Sequence, residues 1–221
     1  AMDIVYETLP LTLYLVGVAL GLAVLVAVPL GVIAALRPGS IVDRLTVFLS
    51  LLGLSIPQFW LGLLLIMLFA VSLGWFDHAG NFRADSIVLP AVTLALPALT
   101  RLVMVVRSQM IDELNAQYVK TSRAKGMPFL RIVGLHAMRN AAVPVLTLIA
   151  WEFIRALAGY TVVVEKVFAW PGLGLAAIQA IERQDLILLQ AIVFTVAVMV
   201  VAINLAVDVA YKAIDPRIKL D

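Results

Sequence analysis

The stretch that decides the fold is LILLQAIVFTVAVMVVAINLAVDVAY, residues 186–211, in which Asp208 is the one charged residue. At about 1.5 Å per helical residue this run exceeds the roughly 30 Å of a bilayer's hydrocarbon core. It has no period-two alternation, so a barrel strand is excluded. Backbone polar groups in lipid must be satisfied within the segment, which leaves a helix. Four further runs read the same way, and the expected spans are about 9–36, 45–73, 87–106, 141–164 and 186–211. The chain has 221 residues, 63% apolar and 14% charged. Soluble domains sit near 45–50% and about 25%. The expected fold class is all-α and integral to the membrane, a single domain of five transmembrane helices over residues 1–221.

Lys and Arg set the orientation. With the N-terminus outside, the inner side receives Arg37, Arg44, Arg101, Arg107, Lys120, Arg123, Lys125, Arg131, Arg139, Lys212, Arg217 and Lys219. The outer side receives Arg83, Lys166 and Arg183, and Arg155 falls inside a span. The C-terminus is then inside. Residues 1–7 hold no basic residue, so no cleavable signal pattern is visible. The absence of cysteine excludes a disulfide framework and thiol chemistry. Pro29, Pro57, Pro97 and Pro144 lie inside the runs and are expected either to kink their helices or to be tolerated there.

The one large inner connection is the basic segment 115–140. Gln117 to Lys125 is compatible with a helix, Gly126 with its left-handed stop, and Pro128 with the first turn of the next helix. Met127, preceding proline, is biased away from helix. Phe129 to Asn140 then continues into the fourth span. Such an elbow can lie on anionic lipid, insert into the groove of a soluble partner, or be an ordinary positive-inside loop. Composition leaves these open.

Here the sequence resembles a known family. Tyr118-Val-Lys-Thr-Ser-Arg-Ala-Lys-Gly126, followed by His136-Ala-Met-Arg-Asn-Ala141 and Pro144, resembles the cytoplasmic signature of ABC-importer permeases. The resemblance is to the first permease subunit of the dipeptide/oligopeptide/nickel branch. Glu7 to Leu13, Gly53 to Trp60, Val162 to Gly174, Asn204 to Asp208 and Asp215-Pro-Arg217 extend it along almost the whole chain. The broader signature begins Glu-Ala-Ala, whereas this chain has Lys120-Thr-Ser122. The resemblance implies the type I importer transmembrane fold. It implies that Tyr118, Thr121, Ser122, Ala124, Lys125 and Gly126 form a coupling helix that docks on a cytoplasmic ATPase. It also implies an outer gate around Trp170, Pro171, Gly172 and Gly174; the residues themselves read as a break there, after which Leu175 to Arg183 can form a short helix. Implied partners are a second, related permease, two ATPase subunits and an extracytoplasmic binding protein, in an inner membrane. Family members usually carry one more N-terminal helix and an extracytoplasmic segment, and this chain starts just ahead of what would be the second helix.

Charge inside the spans is scarce. Glu152 and Arg155 lie three residues apart on one helix face and read either as lining of a translocation path or as a structural ion pair. Glu165 and Lys166 read as solvated, and Trp170 as an aromatic anchor at the membrane surface or part of the gate. Asn204 and Asp208 read as helix-packing groups. His78 and His136 fall on opposite sides and cannot share a metal, and no metal or catalytic constellation is evident. No phosphate-cradling Gly-x-x-x-x-Gly-Lys-Ser/Thr stretch occurs, so the chain is expected to be no enzyme, with ATP and Mg held by the partners. Nothing points to nucleic acid, and lipid is the remaining partner. The expected function is passage of di- or oligopeptides, or a similar small solute. The alternative, an ion-coupled secondary transporter or channel, calls for intramembrane carboxylates and paired repeats, of which only Glu152 is present.

Overall fold

The computed structural model describes residues 1–76 and 86–214, with the side chains of residues 208 and 210–214 left aside. The readings placed on His78, Arg83, Asp208, Lys212, Asp215–Arg217 and Lys219 lie outside what it describes. The elements are α1 (Met2–Leu36), α2 (Ile41–Ser55), α3 (Gln58–Ser72), α4 (Val88–Asn115) and α5 (Gln117–Ala124). They continue with α6 (Phe129–Phe168), α7 (Leu173–Glu182) and α8 (Leu186–Ile214). Four of these, α1, α4, α6 and α8, are long and apolar enough to cross a membrane, and α2 with α3 makes a fifth, broken span. The all-α expectation therefore holds for the described residues, with longer helices. The first begins at Met2 rather than near residue 9, and the third runs on to Asn115 rather than ending near 106.

The span expected at 45–73 is not one helix. Its halves meet at 98°. Ile56, preceding proline, takes extended angles (φ −82°, ψ 122°), and Pro57 lacks the donor that would carry the helix onward. The bend lets each half find its own partner. Gly53 packs against Thr100 of α4, and Gly62 against Val167 and Phe168 of α6. Pro29, Pro97 and Pro144 by contrast lie inside continuous helices.

The core is built on α1 against α4. Ala19, Ala23, Ala27, Gly31 and Ala35 recur every fourth residue of α1, all buried. Lipid tails are as apolar as leucine, so helices in a membrane associate by close van der Waals packing, which small residues permit. A Cβ on Gly31 would lie 2.7 Å from the Val106 side chain. Ala91, Ala95, Ala98, Leu102 and Val106 supply the opposing face. The two helices run in the same direction, which defines two ends of the bundle. One carries the 37–40 turn and α5, and the other carries α7.

Candidate functional site

Three polar assemblies stand out, one at each end and one between. At the α5 end, Glu113 in the last turn of α4 accepts hydrogen bonds from Tyr118 Oη and, at 3.0 Å, from Asn140 Nδ2. One carboxylate thus ties together the end of α4, the short helix α5 and the third turn of α6. Val119, a residue of α5 itself, is buried. Burial, reinforced by the Glu113 carboxylate, pushes the Tyr118 phenol up to about 12.

The break after α5 is closed by local chemistry. Gly126 adopts φ +74°, and the N–H of Met127 bonds back to the Ser122 carbonyl at 3.2 Å. This is a Schellman turn, which glycine makes at no steric cost. Pro128 stands at the N-cap of α6 rather than in its first turn. The Arg123 guanidinium lies 5.5 Å from the centroid of the Phe129 ring, bridging the break. The Thr121 and Ser122 hydroxyls bond back to the carbonyls of Gln117 and Tyr118. The outward face presents Lys120, Thr121, Arg123, Ala124, Lys125 and Gly126, all exposed. Next to them Leu130 is 83% exposed. The same end holds an ion pair. The Arg107 guanidinium grips buried Asp43 through Nε and Nη2, and Asp43 accepts from Gly39 N at 2.7 Å. Ser40 caps α2 by accepting from Asp43 N.

Midway along the bundle, Glu152 is 1% exposed. Its principal partner is not Arg155 but Arg101, whose Nε and Nη2 donate to the two carboxylate oxygens at 2.6 and 2.8 Å. Arg155 Nη1 adds a longer bond of 3.3 Å. Arg101 and Arg107, read above as inner-side charges, are therefore inside α4, each paired across the bundle. Arg101 also lies 5.8 Å from the Tyr160 ring centroid. Tyr160 closes a π-helical segment, Ala156–Tyr160, that begins directly after Arg155.

At the α7 end, Glu165 corrects the expectation of a solvated residue: it is fully buried. Its Oε1 accepts from Thr12 Oγ1 at 2.7 Å, and its Oε2 from the backbone N–H of Gly174 at 2.7 Å and of Leu175 at 3.1 Å. Thr12 Oγ1 in turn accepts from Leu173 N at 2.8 Å. The first turn of α7 is thereby capped by a glutamate and a threonine from elsewhere in the chain. This is where orphan N–H groups and the helix dipole favour an anion. A Cβ on Gly172 would sit 2.1 Å from Glu165 Oε1, and one on Gly174 2.6 Å from Val162 Cα. Both positions need glycine for close approach. The chain leaves α6 at Ala169, which adopts left-handed angles (φ 49°, ψ 36°), with Pro171 following in the connection to α7. Trp170 is 7% exposed and its Nε1 donates to Leu11 O at 3.2 Å, so it is a buried strut rather than a surface anchor. Lys166 keeps the expected exposed character and meets Glu182 at 2.9 Å.

The candidate residues thus fall into separate groups. Tyr118 to Gly126 form one elbow, Glu152 and Arg155 share one cluster, and Trp170 to Gly174 form the entry to α7. Residue-by-residue reading missed Glu113, Arg101 and Thr12 as members. Asn204 is exposed on α8. Among the described residues no group of His, Cys, Asp or Glu is placed to hold a metal ion.

The comparisons with known proteins come to bear on this geometry. Residues 27–220 match the family model described as binding-protein-dependent transport system inner membrane component. The chain is 39% identical to the oligopeptide transport system permease protein AppB of Bacillus subtilis (strain 168), over 98% of this chain and 72% of that one. It is 36% identical to the dipeptide transport system permease protein DppB of Escherichia coli (strain K12), over 94% and 70%. Among solved structures, an inward-facing MetNI methionine ABC transporter superposes with a TM-score of 0.78 at 20% identity, covering 97% of each chain. An amino acid ABC transporter solved with histidines gives 0.75 at 16% identity, covering 96% and 94%.

Proposed function

This chain belongs to the family of binding-protein-dependent transport system inner membrane components, and from that premise we propose that it passes peptides across the inner membrane, driven by ATPase partners gripping its α5 elbow. It is a translocation subunit, without catalytic machinery of its own. Support for peptides as the solute comes from the two relatives named for oligopeptide and dipeptide transport. An extracytoplasmic binding protein delivers the peptide, and a second permease completes the path.

The observation that carries the mechanism is the Glu113 clamp. A docking helix joined to the bundle by slack chain would absorb a partner's motion. Here α5 is tied to the end of α4 and, through Asn140, to α6 three turns past the elbow, and α6 runs unbroken for 40 residues to Phe168. Displacement at the elbow is therefore displacement of two spanning helices. The exposed face of Thr121, Ala124, Lys125 and Gly126 meets the ATPase, while Tyr118 and Ser122 face inward. At its other end α6 delivers Glu165, which holds Thr12 of α1 and the start of α7. The same lever thus reaches the proposed outer gate of Trp170, Pro171, Gly172 and Gly174.

Co-purification tests the docking face. Ala124→Arg puts bulk on the exposed face without touching the clamp, and should strip the ATPase from the detergent-solubilised complex while leaving the bundle's thermal stability unchanged. Retention of a stoichiometric ATPase would refute docking at α5.

A further inference from the structure

The central cluster holds two guanidiniums and one carboxylate, so one positive charge is left over. Glu152 spends both oxygens on Arg101, at 2.6 and 2.8 Å. Arg155 retains a single long bond of 3.3 Å, and its side chain is 45% exposed against 1% for Glu152. Arg155 lies 13 residues before the end of α6, about 20 Å by helical rise. That is membrane depth, where a charge facing lipid is costly and ionisable groups turn toward a bundle interior or a water-filled cavity.

The surroundings are shaped for a guest. Arg155 stands where α6 widens into the π-helical segment Ala156–Tyr160, a distortion frequent at functional sites. Ala158 is exposed, and nothing lies within 4 Å of where a Cβ on Gly159 would be. Trp151, one turn before Arg155, is 55% exposed. Open space beside small residues therefore adjoins a cation whose fork is mostly unspent.

We propose that Arg155 is a water-facing site in the translocation path that takes the carboxylate of the peptide in transit. This rests on the permease reading above and adds a site and a chemistry to it. A guanidinium fork matches a carboxylate in shape and charge. Glu152 and Arg101 hold the site in place, and the neighbouring negative charge of Glu152 keeps the grip weak. A conducting path needs binding favourable enough to admit the solute and loose enough to release it.

The test uses the assembled importer, with its ATPases and binding protein, in proteoliposomes supplied with a mixture of di- to pentaalanines. This subunit contains no cysteine, so Arg155→Cys gives it a single thiol. Water-soluble thiosulfonates carrying an aminoethyl or a sulfonatoethyl group should label that thiol; failure of both to react would overturn the proposal. Uptake should fall about tenfold in the unlabelled variant, the scale of a lost charge-assisted bond. The aminoethyl label should bring it back to within about threefold of wild type, and the sulfonatoethyl label should not. Equal uptake with the two labels would overturn the proposal; and because Arg155 also meets Glu152, a label effect just as large on C-terminally amidated alanine peptides, which lack the carboxylate, would mark a structural role and overturn it too. Should the Arg155→Cys complex fail to assemble, Arg155→Lys against Arg155→Gln gives the same contrast without labelling. Lysine should retain uptake and glutamine lose it, and equality of the two would again overturn the proposal. A wild-type complex that assembles but takes up no alanine peptide sinks the peptide reading instead.

Discussion

The two ends of the bundle solve the same problem with opposite materials. Each uses one glutamate to tie three stretches of chain. At the elbow end Glu113 binds side chains, Tyr118 and Asn140, on a half-exposed surface. At the α7 end Glu165 binds Thr12 and two backbone N–H groups in a fully buried site. A tie left at the surface has bonds that compete with water. A buried tie is one where an unmade bond is costly. The elbow tie is adjustable, and the α7 tie is close to all-or-none.

Substitutions should separate the two. Glu165→Ala should be the most damaging, because it removes the buried acceptor shared by the Thr12 hydroxyl and the N–H groups of Gly174 and Leu175. A loss of about 3 kcal/mol is expected, read as thermal unfolding of the purified subunit in detergent. Gly172→Ala should follow at about 2 kcal/mol, since its Cβ would fall on the Glu165 carboxylate and force it off Thr12. Glu113→Ala should cost only about 1 kcal/mol, its partners being reachable by water. If Glu113→Ala proves as destabilising as Glu165→Ala, the contrast between the ends is wrong.

The smallest effect concerns pH. Burial and Glu113 raise the Tyr118 phenol to about 12, above the ordinary value of 10.0. A group raised in the folded state contributes stability that is complete below its ordinary pKa and is lost as pH climbs through the folded value. The elbow tie should therefore be indifferent to pH up to about 10 and loosen between about 10 and 12. Tyrosinate absorbance should show a late-titrating tyrosine that Tyr118→Phe removes. A full complement of tyrosinate by pH 11 in the native subunit would contradict it.

The ends also differ in how far they could be read from sequence. At the elbow every determinant is local. Gly126, Met127 and Pro128 punctuate the chain within three residues, and α5 with its left-handed stop follows from residue types alone. At the α7 end the determinant is a contact between Thr12 and Glu165, residues 153 apart in sequence. Glu165 beside Lys166 looks like any solvated pair, and only the arrival of α1 makes it a cap. Arg101 was hidden for the same reason, its partner Glu152 lying 51 residues on. The break at Pro57 was half legible. Proline marked the position, but the 98° turn depends on Gly53 and Gly62 finding different helices.

If Glu113 makes α5 a lever rather than a tether, coupling should fail without it. The direct measurement is peptide taken up per ATP hydrolysed by the reconstituted complex carrying Glu113→Ala, beside wild type. The lever account predicts an ATPase that stays bound and keeps hydrolysing while uptake per ATP falls several-fold. An unchanged ratio, with the ATPase bound and the elbow tie removed, would contradict it.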